Sequence, residues 1–211
     1  MSGVVIRPLR FTADVAAMRA FLEGLGLRSR IESERGGWVD LLAGRGMVAL
    51  HDAASSSTGG QPGQTSLTFE ADKLDELVER LERAGFGDAT VFDEAYGRVL
   101  SVTGPDGAVI WVDERSEDLY GYTLHDVRPD DRLSVTPYLT GADEPAWHTF
   151  LTAMGADATV LFGPGPEFAV RLDLTATERA LADIASRTEA TRTAAGLELT
   201  DPDGRLVVIH E

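Results

Sequence analysis

The sequence predicts an α+β protein built of tandem βαβββ modules, with curled mixed sheets and a shortened second half. Three observations carry this. A strand, a helix and three more strands follow one another twice between residues 3 and 114. Pro8, Ala13, Asp14, Ala17, Phe21, Leu22 and Gly26 recur at an offset of 129 as Pro137, Ala142, Asp143, Ala146, Phe150, Leu151 and Gly155. The C-terminal LTDPDGRLVVIHE (199–211) echoes VTGPDGAVIWVDE (102–114) at an offset of 97. The second copy has therefore lost 129 − 97 = 32 residues from its middle, expected in the stretch after Gly155.

Residues 3–11 (GVVIRPLRF) are rich in apolar and β-branched types and read as a strand. Thr12 or Ala13-Asp14 opens a helix in which Val15, Met18, Leu22 and Leu25 share one face, and Gly26 caps it. Strands follow at 28–33, 37–42 and 46–51, punctuated by Gly36-Gly37 and Gly44-Arg45-Gly46. Residues 53–64 (AASSSTGGQPGQ) have a linker's composition. The second module repeats the order. A strand at 65–70 precedes a helix at 72–85, striped by Leu74, Leu77, Val78, Leu81 and Ala84. Strands at 89–94, 98–103 and 108–113 complete it, the last two joined by the turn Gly104-Pro105-Asp106-Gly107. Residues 1–115 thus form a complete domain (modules 3–52 and 64–114). Residues 116–131 are a charged linker, and 132–211 a shortened domain whose helix at about 175–188 matches 72–85.

Nineteen Lys and Arg against 35 Asp and Glu leave a net charge of −16, and 43% of the residues are apolar. That apolar share suffices for buried cores. The charge argues against nucleic-acid and anionic-membrane partners, which need clustered positive charge. No cysteine is present, which removes disulfides, thiolate metal sites and thiol nucleophiles. The first residues hold two arginines and a proline in an apolar stretch too short for a signal or a span, so the expected location is the cytoplasm. A nucleophile elbow and a phosphate-cradling loop are both lacking.

RPLRFTADVAAMRAFLEGLGL, GPDGAVIWVDE and their echoes TPYLTGADEPAWHTFLTAMGA and DPDGRLVVIHE resemble the vicinal-oxygen-chelate superfamily. It includes glyoxalase I, the extradiol dioxygenases and the bleomycin-resistance proteins. The resemblance implies that two modules curl into a cup with the ligand on the concave face. It also implies a divalent metal in the enzymes, held by His, Glu or Gln at four strand positions. Carried over by counting from the helix starts and the turn, these fall on Arg7, Ala49, Thr65 and Trp111, with Thr136 and Val208 as counterparts in the second half. Arginine only donates, and alanine and tryptophan offer no suitable lone pair. No metal and no cofactor is therefore expected.

Strand alternation then places Arg7, Leu9, Phe11, His51, Thr65, Leu67, Phe69, Trp111 and Asp113 in the cup as ligand-binding candidates, with Val109 beside them. Arg7 there requires either an intramolecular acid, Asp113 or another, or an anionic ligand. Trp111 reads equally as core or as a stacking surface. His51 and His210 are ordinary strand-end residues or ligand contacts, and Trp147 is expected in the core. No catalytic residue is identified. The expected function is metal-independent binding of a small organic molecule, by a monomer or homodimer. The alternatives are a metal-dependent lyase, isomerase or dioxygenase with an unusual site, and an interaction protein whose cup is filled by its own side chains.

Overall fold

The computed structural model describes residues 3–115, 120–156 and 158–211. The first module runs β1 (Val4–Ile6), β2 (Leu9–Thr12), α1 (Val15–Leu25), β3 (Arg28–Ser33), β4 (Trp38–Leu42) and β5 (Met47–Asp52). The second runs β6 (Thr65–Ser66), β7 (Thr68–Ala71), α2 (Leu74–Arg83), β8 (Thr90–Glu94), β9 (Gly97–Thr103) and β10 (Val109–Glu114). The strand expected over 3–11 is two strands, interrupted at Arg7 and at Pro8, which has no N–H for a ladder. The interruption sends the two pieces to different sheets. β1 pairs antiparallel with β7 in the sheet β1-β7-β10-β9-β8. β2 lies between parallel β5 and antiparallel β6 in the sheet β11-β3-β4-β5-β2-β6. Each module thus lends one strand to the other's sheet. The outermost strand, β11 (Tyr122–Leu124), comes from the segment expected as linker and pairs with β3. Residues 116–119 of that segment lie outside the described residues.

The second half contains β12 (Leu133–Val135), β13 (Tyr138–Thr140), α3 (Glu144–Met154), β14 (Leu161–Gly163), β15 (Ala169–Arg171), β16 (Leu174–Ala176), α4 (Glu178–Arg187), β17 (Thr191–Thr193), β18 (Gly196–Thr200) and β19 (Leu206–His210). β12 pairs with β16 as β1 does with β7. β13 sits between parallel β14 and antiparallel β15, as β2 sits between β5 and β6. Among the described residues nothing between α3 and β14 corresponds to β3 and β4. The shortening read from the two offsets therefore includes loss of a hairpin, and with it one wall of a second cup.

α1 starts where expected: the Asp14 carboxylate accepts a 2.9 Å hydrogen bond from the Ala17 N–H, and Gly26 ends the helix at φ 125°. α2 starts one residue later than its sequence suggests. Lys73 is the capping position, without a side-chain cap. Asp72 instead accepts from the Gly3 N–H and from Arg115.

Two apolar cores form, each shared between the halves. Met18, Leu22 and Leu25 of α1 and the outer faces of β4 and β5 pack against Leu181 and Ile184 of α4 and against Leu174, Leu197 and Ile209. Leu74, Leu77 and Leu81 of α2, with Phe69, Leu100 and Val112, pack against Trp147, Phe150 and Met154 of α3. Trp147 is in the core as expected, stacked on Phe168 at 5.3 Å. Polar contacts across the halves follow the same pairing. Asp106 accepts from the Asp143 N–H and the Trp147 indole at 3.1 and 2.9 Å, and Asp203 accepts from the Ala13 N–H at 3.0 Å. Buried Arg10 of β2 pairs with Asp201 and Asp203. The two Pro-Asp-Gly turns therefore each fasten the helix start of the opposite half.

Candidate ligand cup

A cavity of about 520 Å³ lies between the two sheets of the first half, within the range of small-molecule sites. Alternation along each strand decides what faces it. On β2, Leu9 and Phe11 face in; on β4, Trp38 and Asp40 do, while Val39 and Leu41 enter the core. On β10, Val109, Trp111 and Asp113 face in, while Ile110 and Val112 go to the other core. Tyr96, from the β8–β9 hairpin, and Tyr122 of β11 line the cavity as well.

Arg7, Leu9, Phe11, His51, Trp111 and Asp113 all line the cavity, as the sequence suggested. Thr65, Leu67 and Phe69 do not. Phe69 and Leu67 belong to the α2 core, and the Thr65 hydroxyl accepts from Arg10 at 3.1 Å. Their places are taken by Ser66, Thr68 and Glu70. The cause is the late start of α2: counting seven residues back from Lys73 rather than Asp72 reaches Ser66. In a strand, a slip of one residue exchanges the two faces.

The floor is an ion-pair network centred on Arg7, which is 5% exposed. Its guanidinium pairs with Asp113, lies 3.2 Å from Asp40 Oδ2 and 4.0 Å from Glu70 Oε2, and sits over the Trp38 ring at 5.7 Å. Arg30 bridges Asp40 and Glu70, and Arg115 reaches Glu70 at 2.7 Å. Of the two readings open for Arg7, the structure shows the intramolecular one. Burial opposes the charge on Arg7, but Asp40, Asp113 and Glu70 outweigh it and hold the guanidinium more firmly protonated than usual. Burial likewise opposes the charge on Glu70, and Arg30, Arg7 and Arg115 reverse this, bringing its carboxyl below the usual range. The other Asp40 oxygen, Oδ1, is buried without a hydrogen-bond partner.

Above this floor the walls are aromatic. The His51 ring stands 5.8 Å from Phe11 and 5.6 Å, edge-on, from Trp38, with its Nδ1 2.8 Å from the Asp52 carbonyl. Trp111 meets Phe92 edge-on at 5.8 Å. The segment 53–64, expected as a linker, closes one side with Ser56, Ser57, Thr58 and Gly60. Gly60 lies against the Phe11 ring so closely that a Cβ there would overlap it. Sequence reasoning missed this hydroxyl-bearing segment, the two tyrosines and Asp40. Asp40 alone carried a signal, an acid two residues from Trp38 on the same face of an apolar strand. His210 lies outside the cup, with Nε2 2.7 Å from Asp173, whose carboxylate also holds Arg171 at 2.6 and 2.7 Å.

The fold is that of the vicinal-oxygen-chelate superfamily, and solved structures with this architecture cover nearly the whole chain. A triple mutant of 4-hydroxymandelate synthase from Streptomyces coelicolor matches 98% of this chain and 91% of its own, at 12% identity and TM-score 0.60. Homoprotocatechuate 2,3-dioxygenase from Brevibacterium fuscum, in complex with 3,4-dihydroxyphenylacetate, matches 100% of this chain and 79% of its own, at 15% identity and TM-score 0.58. Catechol 2,3-dioxygenase matches 99% and 86%, at 14% identity and TM-score 0.61. No family profile and no curated protein matches the chain.

The superfamily's enzymes use a divalent metal, and the residues here do not fit one. Arg7 projects its own positive charge among Asp40, Glu70 and Asp113 and so opposes a metal cation there. Ala49 is fully buried and has no donor atom, and Trp111 contributes an indole. The corrected register replaces Thr65 with Ser66, another hydroxyl. Among the described residues, no three His, Cys, Asp or Glu side chains are arranged to hold a metal ion. No helix among them is long and apolar enough to cross a membrane.

Proposed function

We propose that the cup of the first half binds a small organic molecule without a metal, in the manner of the bleomycin-resistance group. One observation carries this reading: an aromatic-walled cavity of about 520 Å³ whose floor is closed by an arginine–carboxylate network instead of a ligand set. The same cavity, beside Arg7 and Trp111, speaks against a cup filled by its own side chains. The second half acts as a structural cover, contributing α3 and α4 to the two cores. The protein works in the cytoplasm as a monomer or homodimer, without nucleic-acid or membrane partners.

The dioxygenase names of the structural neighbours keep a metal-dependent reaction in view as the alternative. A thermal-shift screen separates the two. Small aromatic compounds at about a hundred times their Kd stabilise a native state by about 2.7 kcal/mol. In a chain of this length that raises Tm by roughly 5–10 °C. The rise should persist in chelator and disappear in Trp111→Ala. Stabilisation by Fe²⁺ or Mn²⁺ alone, with none by organic compounds, would overturn the proposal.

A further inference from the structure

Resting on that reading, we infer that Arg10 and Asp201, which stand outside the cavity, are positioning residues for its ligand: through them the second half sets how firmly the segment 53–64 closes the cup. Among the described residues, 53–62 make hydrogen bonds only with one another and with the flanking Asp52 and Gln64. Ser56, Ser57, Thr58 and Gly60, which the segment sets against the cavity, are therefore fixed from its two ends. At one end the Asp52 N–H donates to the Gly37 carbonyl at 2.8 Å. At the other, the Gly63 N–H donates to the Phe11 carbonyl at 2.8 Å, and the Phe11 N–H to the Gln64 carbonyl at 2.9 Å.

This second end rests on the other half of the chain. Arg10, 2% exposed, donates from Nη1 to the Gly63 carbonyl at 2.6 Å and to the Thr65 hydroxyl at 3.1 Å, and from Nη2 to Asp201. Asp203 Oδ2 lies 3.7 Å from the Arg10 Nε. Asp201 is held by its own turn, its Oδ1 accepting from the Asp203 and Arg205 N–H groups at 3.0 and 2.8 Å. The Arg205 side chain lies over Gly63, where φ is 84° and a Cβ would overlap it. The rigid guanidinium fork of Arg10 thus spans a carbonyl of the cup wall and a carboxylate of the second half at once. Without that carboxylate Arg10 is drawn to Asp203 alone, and the Gly63 carbonyl loses its fixed donor. The segment then spends part of its time open, and apparent affinity falls in proportion to the closed fraction.

Asp201→Asn tests this, because its amide oxygen can still accept from the turn while the charge facing Arg10 is gone. Arg10→Lys keeps the positive charge and loses the fork. Asp106→Asn is the matched reference: it alters the other Pro-Asp-Gly turn, which also joins the halves but does not reach the segment. In hydrogen exchange the Phe11 and Gly63 amides should lose protection in Asp201→Asn and Arg10→Lys and keep it in Asp106→Asn, with the amides of α1 and β10 unchanged in all three. N-phenyl-1-naphthylamine, an uncharged aromatic whose fluorescence rises in apolar surroundings, should bind the first two variants roughly three- to tenfold more weakly than wild type, and Asp106→Asn as wild type does. Unchanged protection or unchanged affinity in either variant, or an equal loss in Asp106→Asn, overturns the inference and leaves small-molecule binding standing. Where one variant does not fold, the other decides. If wild type takes up no probe, the exchange result decides the inference; if the thermal-shift screen also finds no organic compound, both fall.

Discussion

Replacing Arg7 by methionine removes the guanidinium from the cup floor and keeps an apolar stem of similar length. Removing one partner of a buried pair costs about 3–5 kcal/mol, because the charge left behind stays desolvated. Here the lower end applies. Arg30 still lies 3.4 Å from Asp40 and also pairs with Glu70, which Arg115 holds at 2.7 Å. Asp113 loses its ion-pair partner, but its side chain is 18% exposed and borders the cavity. About 3 kcal/mol in a chain of 211 residues corresponds to a fall in Tm of roughly 6–12 °C. Thermal unfolding of wild type and Arg7→Met at neutral pH reads this, with exposed Arg35→Met as a reference. A fall below about 2 °C, within the range of an ordinary surface substitution, would show that the network does not hold the floor.

Three further outcomes are expected. Deleting residues 132–211 uncovers the core faces of α1 and α2, so the remainder should dimerise or aggregate; a monodisperse monomer in sedimentation velocity would contradict the shared cores. Burial, Asp113 and Glu94 push the Tyr96 phenol up to about 12, so ultraviolet titration should show a late phenolate component that Tyr96→Phe removes; titration of every tyrosine near 10 would refute it. Glu70 ionises below the usual carboxyl range, so its contribution to stability is present above about pH 4.3 and is lost as pH falls through the lower folded value. The stability gap between wild type and Glu70→Gln should therefore close in acid, and a gap unchanged there would refute the assignment.

Much of the fold was legible because local pattern and repetition pointed the same way. The recurrence of Pro8 to Gly26 and the two Pro-Asp-Gly turns located four modules, one of them shortened. What remained hidden was long-range. Nothing local to Pro8 says that the chain on either side joins different sheets. Nothing in α1 says that its core partner is α4 rather than α2. The site was misjudged at one point of phase, because Asp72 is a better capping residue type than Lys73, yet its carboxylate is drawn away by Gly3 and Arg115. Tyr96 and Tyr122 sit on a hairpin tip and a supposed linker, where neither alternation nor helical spacing reports direction. Arg7 was placed correctly, but its partner Asp40, 33 residues away, is visible only once β4 is folded beside it.

Titration of the aromatic compound that raises Tm most in the thermal-shift screen into chelator-treated protein, with elemental analysis of the same sample, tests the central proposal most directly. The expected result is one-to-one binding unaffected by chelator, in protein carrying far less than one equivalent of Fe, Mn, Ni or Zn. One equivalent of any of these, with binding lost on chelation, would contradict it.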